Sequence, residues 1–230
     1  SSGTLIVDGN IASSSGVTIE EGALLKGSGT VSDVTVELGG ILAGTLSGNI
    51  LSGAGLVAPG NSPGITVWSQ VDPLLELDWE LEFTGLNPDY NPIPPADCVN
   101  DVVRITGAVP FLNPMTAANE INIYFRNMKE IAAGTVFTGG FHADLSDFYS
   151  DISGALFNYY LGSSYIGSSI GSAGEWFTVA TVDDVAFGSG KIMQFTALGD
   201  YSGDVPEPST LLLLLPFIGF GLKKWRGKKA

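Results

Sequence analysis

Two eleven-residue stretches of this chain are near copies of one another, seventeen residues apart. Residues 17–27 read VTIEEGALLKG and residues 34–44 read VTVELGGILAG. Six positions are identical, including Gly22/Gly39 and Gly27/Gly44, and Ile19/Val36 and Leu24/Ile41 are apolar exchanges. A strand followed by a glycine turn cannot bury its own apolar face, so copies stack, each covering the edge of its neighbour. The spacing predicts a β-solenoid over residues 1–67, with degenerate flanking coils at 4–11 and 49–58. The competing arrangement is a pair of hairpins within a sandwich.

The rest of the body also reads as strands. Residues 75–83 (LELDWELEF) alternate apolar and acidic side chains without a break, the period-two pattern of a strand with one face buried. The carboxylates then share one face, where they suit a Ca²⁺-binding or polymer-repelling stripe, or a solvated face that resists edge pairing. Further strands are expected at 101–107, 121–125, 135–138, 176–182 and 191–198. Residues 143–161 are the best helix candidate, and the Gly/Ser-rich residues 162–174 read as a flexible loop.

Charge is divided unevenly. Residues 1–204 carry a net charge of −18, residues 205–230 a net of +4. An acidic body argues against nucleic acid as a partner, since phosphate would be repelled. One cysteine, Cys98, precludes an internal disulfide framework, and its acidic neighbours make it a poor nucleophile. One histidine, His142, stands two residues before Asp144; no Gly-x-Ser-x-Gly elbow accompanies the pair, and an exposed, isolated histidine is the plainer expectation. Asp97 with Asp101, and Asp183 with Asp184, could each contribute to a cation site, but their spacing matches no calcium loop. The chain is therefore read as having no catalytic residues, no cofactor and no assigned metal ligands, with Ca²⁺ the one ion its acidic pairs would suit.

Residues 57–64 read VAPGNSPG, a pair of turns in which proline fixes φ and glycine accepts positive φ. With the preceding coils, this resembles the end of an autotransporter-associated β-strand repeat. The resemblance covers about residues 16–67 and implies a right-handed parallel β-helix of the kind adhesin passengers carry. An Asp-led strand ending in Thr-Gly, as at 101–107, recurs after this turn in similar exported proteins.

The tail is distinct. Val205-Pro206-Glu207-Pro208-Ser209-Thr210 precedes LLLLLPFIGFGL (211–222) and the basic KKWRGKKA (223–230). The uncharged segment from Ser209 to Leu222 would span ~21 Å as a helix at 1.5 Å per residue, short of a hydrocarbon core ~30 Å thick. Lys223, Lys224, Arg226, Lys228 and Lys229 would hold its end on the cytoplasmic side. Motif, apolar run and basic end closely resemble the PEP-CTERM sorting signal. That resemblance implies recognition and cleavage by an exosortase in the inner membrane of a Gram-negative bacterium, with the body released to the surface or the extracellular matrix. The chain begins Ser1-Ser2-Gly3, so an N-terminal signal peptide would precede this numbering.

Together these readings predict a mainly all-β protein. A short right-handed parallel β-helix over residues 1–67 would precede a β-sandwich-like or β-rich domain with one short helix over 68–204. Residues 205–230 would form the sorting signal with a short transmembrane helix. The expected role is a structural or adhesive surface protein, partnered by the exosortase, transiently by the inner membrane, and by the exopolysaccharide matrix of a biofilm. One alternative is a carbohydrate-binding module using Trp68, Trp79, Trp176 and the Tyr159/Tyr160 pair. Another is a polysaccharide-active β-helix enzyme, which would need two carboxylates at a set separation.

Overall fold

The computed structural model describes residues 2–60, 63–73, 77–85, 100–144, 147–171, 175–184 and 189–202. Strands dominate. The chain runs through β1 (Gly3–Val7), β2 (Val17–Ile19), β3 (Ala23–Gly27), β4 (Thr30–Val36), β5 (Ile41–Gly44), β6 (Ser47–Gly53) and β7 (Leu56–Pro59). It continues through β8 (Ile65–Val71), β9 (Asp78–Phe83), β10 (Val102–Ile105), β11 (Glu120–Phe125), β12 (Glu130–Ile131) and β13 (Val136–Ala143). One helical turn, α1 (Tyr149–Ile152), precedes β14 (Leu156–Leu161), β15 (Ser164–Ile170), β16 (Phe177–Asp183), β17 (Lys191–Ala197) and β18 (Tyr201–Ser202).

Through β11 the chain alternates between two eight-stranded sheets. The first has the order β1-β3-β5-β7-β9-β11-β14-β15, the second β16-β17-β13-β10-β8-β6-β4-β2. Pairing is parallel from β1 to β14 in the first sheet and from β2 to β13 in the second. Hairpin β14–β15 and the pairs β13–β17 and β17–β16 then close one end antiparallel.

The seventeen-residue repeat is the register of this stack. Val17 pairs with Val34, Thr18 with Thr35, Ile19 with Val36, and Leu24 with Ile41. The repeated glycine has a steric cause: a Cβ on Gly27 would stand 2.1 Å from the carbonyl oxygen of Val7, and one on Gly44 would stand 2.4 Å from that of Gly27. Both glycines also have positive φ, 137° and 93°, so each turn nests its backbone on the turn before it.

The expected division into a short β-helix and a separate sandwich is overturned. Both sheets are mixed and run the length of the described chain. The expected boundary after residue 67 falls inside β8, which pairs with β6 on one side and β10 on the other. Buried apolar side chains from Val7 to Ala197 form one continuous cluster. Among the described residues no helix is long and apolar enough to cross a membrane; the expected span lies in residues 203–230, outside them.

Two local expectations also fail. The helix expected over 143–161 shrinks to Tyr149–Ile152, because Phe157, Tyr159 and Leu161 alternate into the core of β14. The loop expected over 162–174 contains β15, whose small residues serve packing: a Cβ on Gly167 would stand 2.1 Å from the Trp176 indole.

Candidate binding face

Period two sends Trp79, Leu81 and Phe83 of β9 inward, where each is fully buried, and leaves Asp78, Glu80 and Glu82 on the outer face. The same alternation in β11 turns Asn122 and Tyr124 outward, and in β14 it does so for Asn158 and Tyr160. Register aligns them in rows. Glu80, Asn122 and Asn158 lie side by side across three strands, and Glu82, Tyr124 and Tyr160 form the next row. These carboxylates therefore lie on an interior strand of the sheet; protection of an edge is not their role.

A β-bulge completes the second row. Between Tyr159↔Gly167 and Tyr160↔Tyr165, residue Ile166 has no partner in the register, so Tyr165 comes to lie opposite Tyr160, the kind of re-aiming that bulges provide. The rings of Tyr124 and Tyr160 stack with centroids 4.6 Å apart and 14° between planes. The Arg126 guanidinium lies over the Tyr124 ring at 4.6 Å from its centroid. Tyr165 meets Tyr160 at 64°, with centroids 5.5 Å apart, and is 57% exposed. The outcome is a ridge of stacked rings beside one ring that is more than half exposed to solvent.

Polar groups are fixed around the ridge. Arg126 Nε donates to Glu82 Oε1 at 3.1 Å, and its Nη1 donates to the Gly162 carbonyl at 3.0 Å. Asn158 Nδ2 donates to Glu120 Oε2 at 3.2 Å and to Asn122 Oδ1 at 3.1 Å. Burial raises the pKa of Glu80, opposed by Arg126 and reinforced by Glu82. Burial and the charge of Glu80 raise that of Tyr124, and burial with Glu120 raises that of Tyr160. The phenols stay protonated at neutral pH and can donate as well as accept hydrogen bonds.

The aromatic residues expected to make an open platform divide differently. Trp68, Trp79 and Tyr159 are 0–1% exposed and belong to the core. Trp176 is partly buried against Tyr201. Tyr160 alone of that set faces outward on the ridge. Tyr124 and Tyr165 were not singled out by the sequence, although the alternation in INIYF, which places Tyr124 opposite its apolar neighbours, was a usable signal.

A second polar cluster lies in the other sheet. His142, expected to be exposed, is fully buried. Its Nδ1 lies 3.4 Å from Asp144 Oδ1 and its Nε2 lies 3.6 Å from Asp184 Oδ2. Arg104 grips Asp144 with two 2.8 Å hydrogen bonds from Nε and Nη2. Burial lowers the pKa of His142, opposed by Asp184 and Asp144, so the ring is neutral at pH 7. The cluster ties β10, β13 and the chain after β16 together. Asp183 points away to Lys191 Nζ at 2.8 Å, so the Asp183/Asp184 pair does not converge.

Asp101 is 1% exposed and accepts hydrogen bonds from the backbone N–H groups of Gly64 and Glu82, each at 2.7 Å. It thereby fastens the turn after β7 to the first sheet. Burial pushes its carboxyl up to about 7. Asp97 and Cys98 lie outside the described residues, as do Val205, Pro206, Glu207, Pro208, Ser209, Thr210 and the five basic tail residues. Among the described residues no group of three or more His, Cys, Asp or Glu side chains could hold a metal ion.

No family model matches this chain, and neither a curated protein nor a solved structure matches it.

Proposed function

We propose that this chain is an exported, non-enzymatic surface or matrix protein that adheres to polysaccharide through the tyrosine face of its first sheet. The observation that carries this reading is the open ring of Tyr165, set beside the Tyr124–Tyr160 ridge and the fixed amides and carboxylates of Asn122, Asn158, Glu80 and Glu82. An exposed aromatic face offers apolar area to a sugar ring while the surrounding donors and acceptors meet its hydroxyls. The acidic surround disfavours polyanionic glycans and favours neutral or amino-bearing ones. Residues 205–230 serve delivery: an exosortase reads Val205–Thr210 while the apolar run and the basic end hold the tail in the inner membrane.

Two measurements test the reading separately. Immobilised neutral and amino-bearing polysaccharides should retain the wild type and release Tyr165→Ala at least tenfold more readily; equal retention of both would remove the face from the proposal. Deleting Val205–Pro208 should leave an uncleaved, membrane-held precursor, and a secreted product of unchanged mass would remove the sorting step.

A further inference from the structure

Two rows of side chains run across the outer face of the first sheet, one polar and one aromatic. Asn158 pairs with Ser168, so the row of Glu80, Asn122 and Asn158 gains a fourth member on β15, as the row of Glu82, Tyr124 and Tyr160 does in Tyr165. The rows cross the strands, stand about 7 Å apart along each strand, and advance about 4.8 Å from one strand to the next. An extended chain of β-linked pyranoses advances by nearly the same length per sugar. Laid across β9, β11, β14 and β15, such a chain meets both rows at every step, whereas a single sugar reaches only a part of them.

The carboxylates of this face differ in what they hold. Asp78 accepts from the Glu120 backbone N–H at 2.9 Å, Glu82 is paired with Arg126, and Glu120 accepts from Asn158. Glu80 receives no hydrogen bond or ion pair among the described residues. It is nevertheless half-buried on an interior strand, and its charge reaches the phenols of both Tyr124 and Tyr160. A carboxylate drawn partly out of water, close to a second carboxylate and without a donor, favours a cation beside it. Arg126 offsets this in part, but its hydrogen bonds go to Glu82 and the Gly162 carbonyl.

An ammonium group carries one positive charge and three N–H donors. Beside Glu80 it would give the carboxylate a partner and offer its remaining donors to the neighbouring phenol oxygens. A carboxylate or sulfate on a sugar would instead meet Glu80 and Glu82 with like charge. A lysine-bearing peptide also brings ammonium groups, but it offers Tyr165 no flat apolar sugar face. Building on the polysaccharide reading above, we propose that the ligand is an extended glycan with free amino groups, laid across β9, β11, β14 and β15 with an ammonium on Glu80.

Calorimetric titration of the full chain in a nonionic, sugar-free detergent tests this at pH 6. The probes are β-linked glucosamine oligomers of one to four sugars and their N-acetylated counterparts, in which acetylation keeps the chain and removes the charge. The free-amine tetramer should bind the wild type about tenfold more tightly than the N-acetylated tetramer, and affinity should climb steeply from the single sugar to the tetramer. Glu80→Gln, of the same size, should bring the two tetramers to equal affinity. Glu21→Gln removes one charge from an exposed turn and should keep the tenfold preference; melting curves confirm that both variants are folded. Equal affinity of the wild type for the two tetramers, with binding lost in Tyr165→Ala, overturns this inference and leaves the polysaccharide reading standing. A preference that survives Glu80→Gln, or falls as far in Glu21→Gln, overturns it by assigning the preference to the acidity of the whole body. Single-sugar binding as tight as the tetramer's overturns it too, as does tighter binding of oligolysine. Absence of binding by either tetramer overturns both readings.

Discussion

The inward row of the first sheet changes from Leu25, Leu42 and Val57 to Trp79, Ile121 and Phe157 as it passes from β3 to β14, while the hydrogen-bonded ladder continues unbroken. The connections change with it. Leu24↔Ile41 and Ile41↔Leu56 are 17 and 15 residues apart in sequence, Leu56↔Asp78 is 22, Trp79↔Ile121 is 42 and Ile121↔Phe157 is 36. In the early strands short glycine turns rest backbone on backbone, and small aliphatic side chains fill the space between the sheets. In the later strands aromatic side chains bridge the sheets: Trp79 meets Phe141 edge-on at 4.8 Å, and Phe83 meets Phe195 at 5.5 Å. One architecture is thus held by two means, backbone nesting at one end and aromatic interlock at the other.

Cavity-forming substitutions should separate the two most strongly. Trp79→Ala removes a fully buried indole from the aromatic half and should cost about 4 kcal/mol, against roughly 3 kcal/mol for Leu42→Ala in the aliphatic half. Denaturant melts measure both; equal losses would show that the aromatic bridges add nothing beyond their volume. Backbone nesting is tested next by Gly44→Ala, whose methyl would collide with the Gly27 carbonyl at a φ of 93°. It should cost roughly 2–3 kcal/mol. Gly134→Ala, also at positive φ but with open space around it, should cost only about 1 kcal/mol. If the two substitutions cost the same, steric contact between stacked turns is not what the repeated glycine serves.

Asp101 stands where the two regimes meet, fastening the turn at Gly64 to β9. Its folded pKa of about 7 lies above its unfolded value of 3.8. The folded state therefore binds the proton more tightly, and this carboxyl's contribution to stability is full below 3.8 and is lost as the pH rises through about 7. His142 acts oppositely: burial lowers its pKa, so its contribution is full above the unfolded value of 6.5 and declines as the pH falls below it. Asp101→Asn isolates the first effect. The amide nitrogen would face one of the two buried N–H groups, a loss of about 2 kcal/mol. Thermal melts should show the variant well below the wild type at pH 5 and closer to it at pH 8. A gap that is constant with pH would mean the carboxyl is ionised throughout.

The same contrast explains what the sequence disclosed. Seventeen-residue spacing, Gly27/Gly44 and the alternation at 77–83 are local signals, and each translates directly into register, turn or face. Beyond β7 the coils are separated by 22 to 42 residues of varied chain, so no period survives and the continuation of both sheets is invisible. The VAPGNSPG turn at 57–64 reads as the close of the repeat, yet both sheets continue past it. Burial of His142, Trp68 and Tyr159 was equally hidden, because it depends on strands paired from distant parts of the chain. The candidate face was half legible: outward alternation marked Glu80 and Glu82, whereas Tyr160 stood in a stretch that reads as helix and was a candidate only as half of the Tyr159/Tyr160 pair, and the bulge that sets Tyr165 beside Tyr160 leaves no pattern in a Gly/Ser-rich stretch.

The smallest stability effect should accompany the largest functional one. Tyr165 is 57% exposed and contributes one edge-on ring contact, so Tyr165→Ala should change stability by less than about 0.5 kcal/mol. Tyr160→Ala breaks the stack with Tyr124 as well and should cost about 1 kcal/mol. Tyr165→Phe keeps the ring face and loses only a hydroxyl. If ring stacking dominates polysaccharide retention, Phe at 165 should hold most of the wild-type affinity and Ala almost none, with melting curves unchanged in both. Affinity lost equally in Phe and Ala would move the recognition from the ring face to the phenol hydroxyl. Affinity lost only in Tyr160→Ala would instead assign the open ring no contact with the ligand, and the ridge itself would be the surface that the sugar meets.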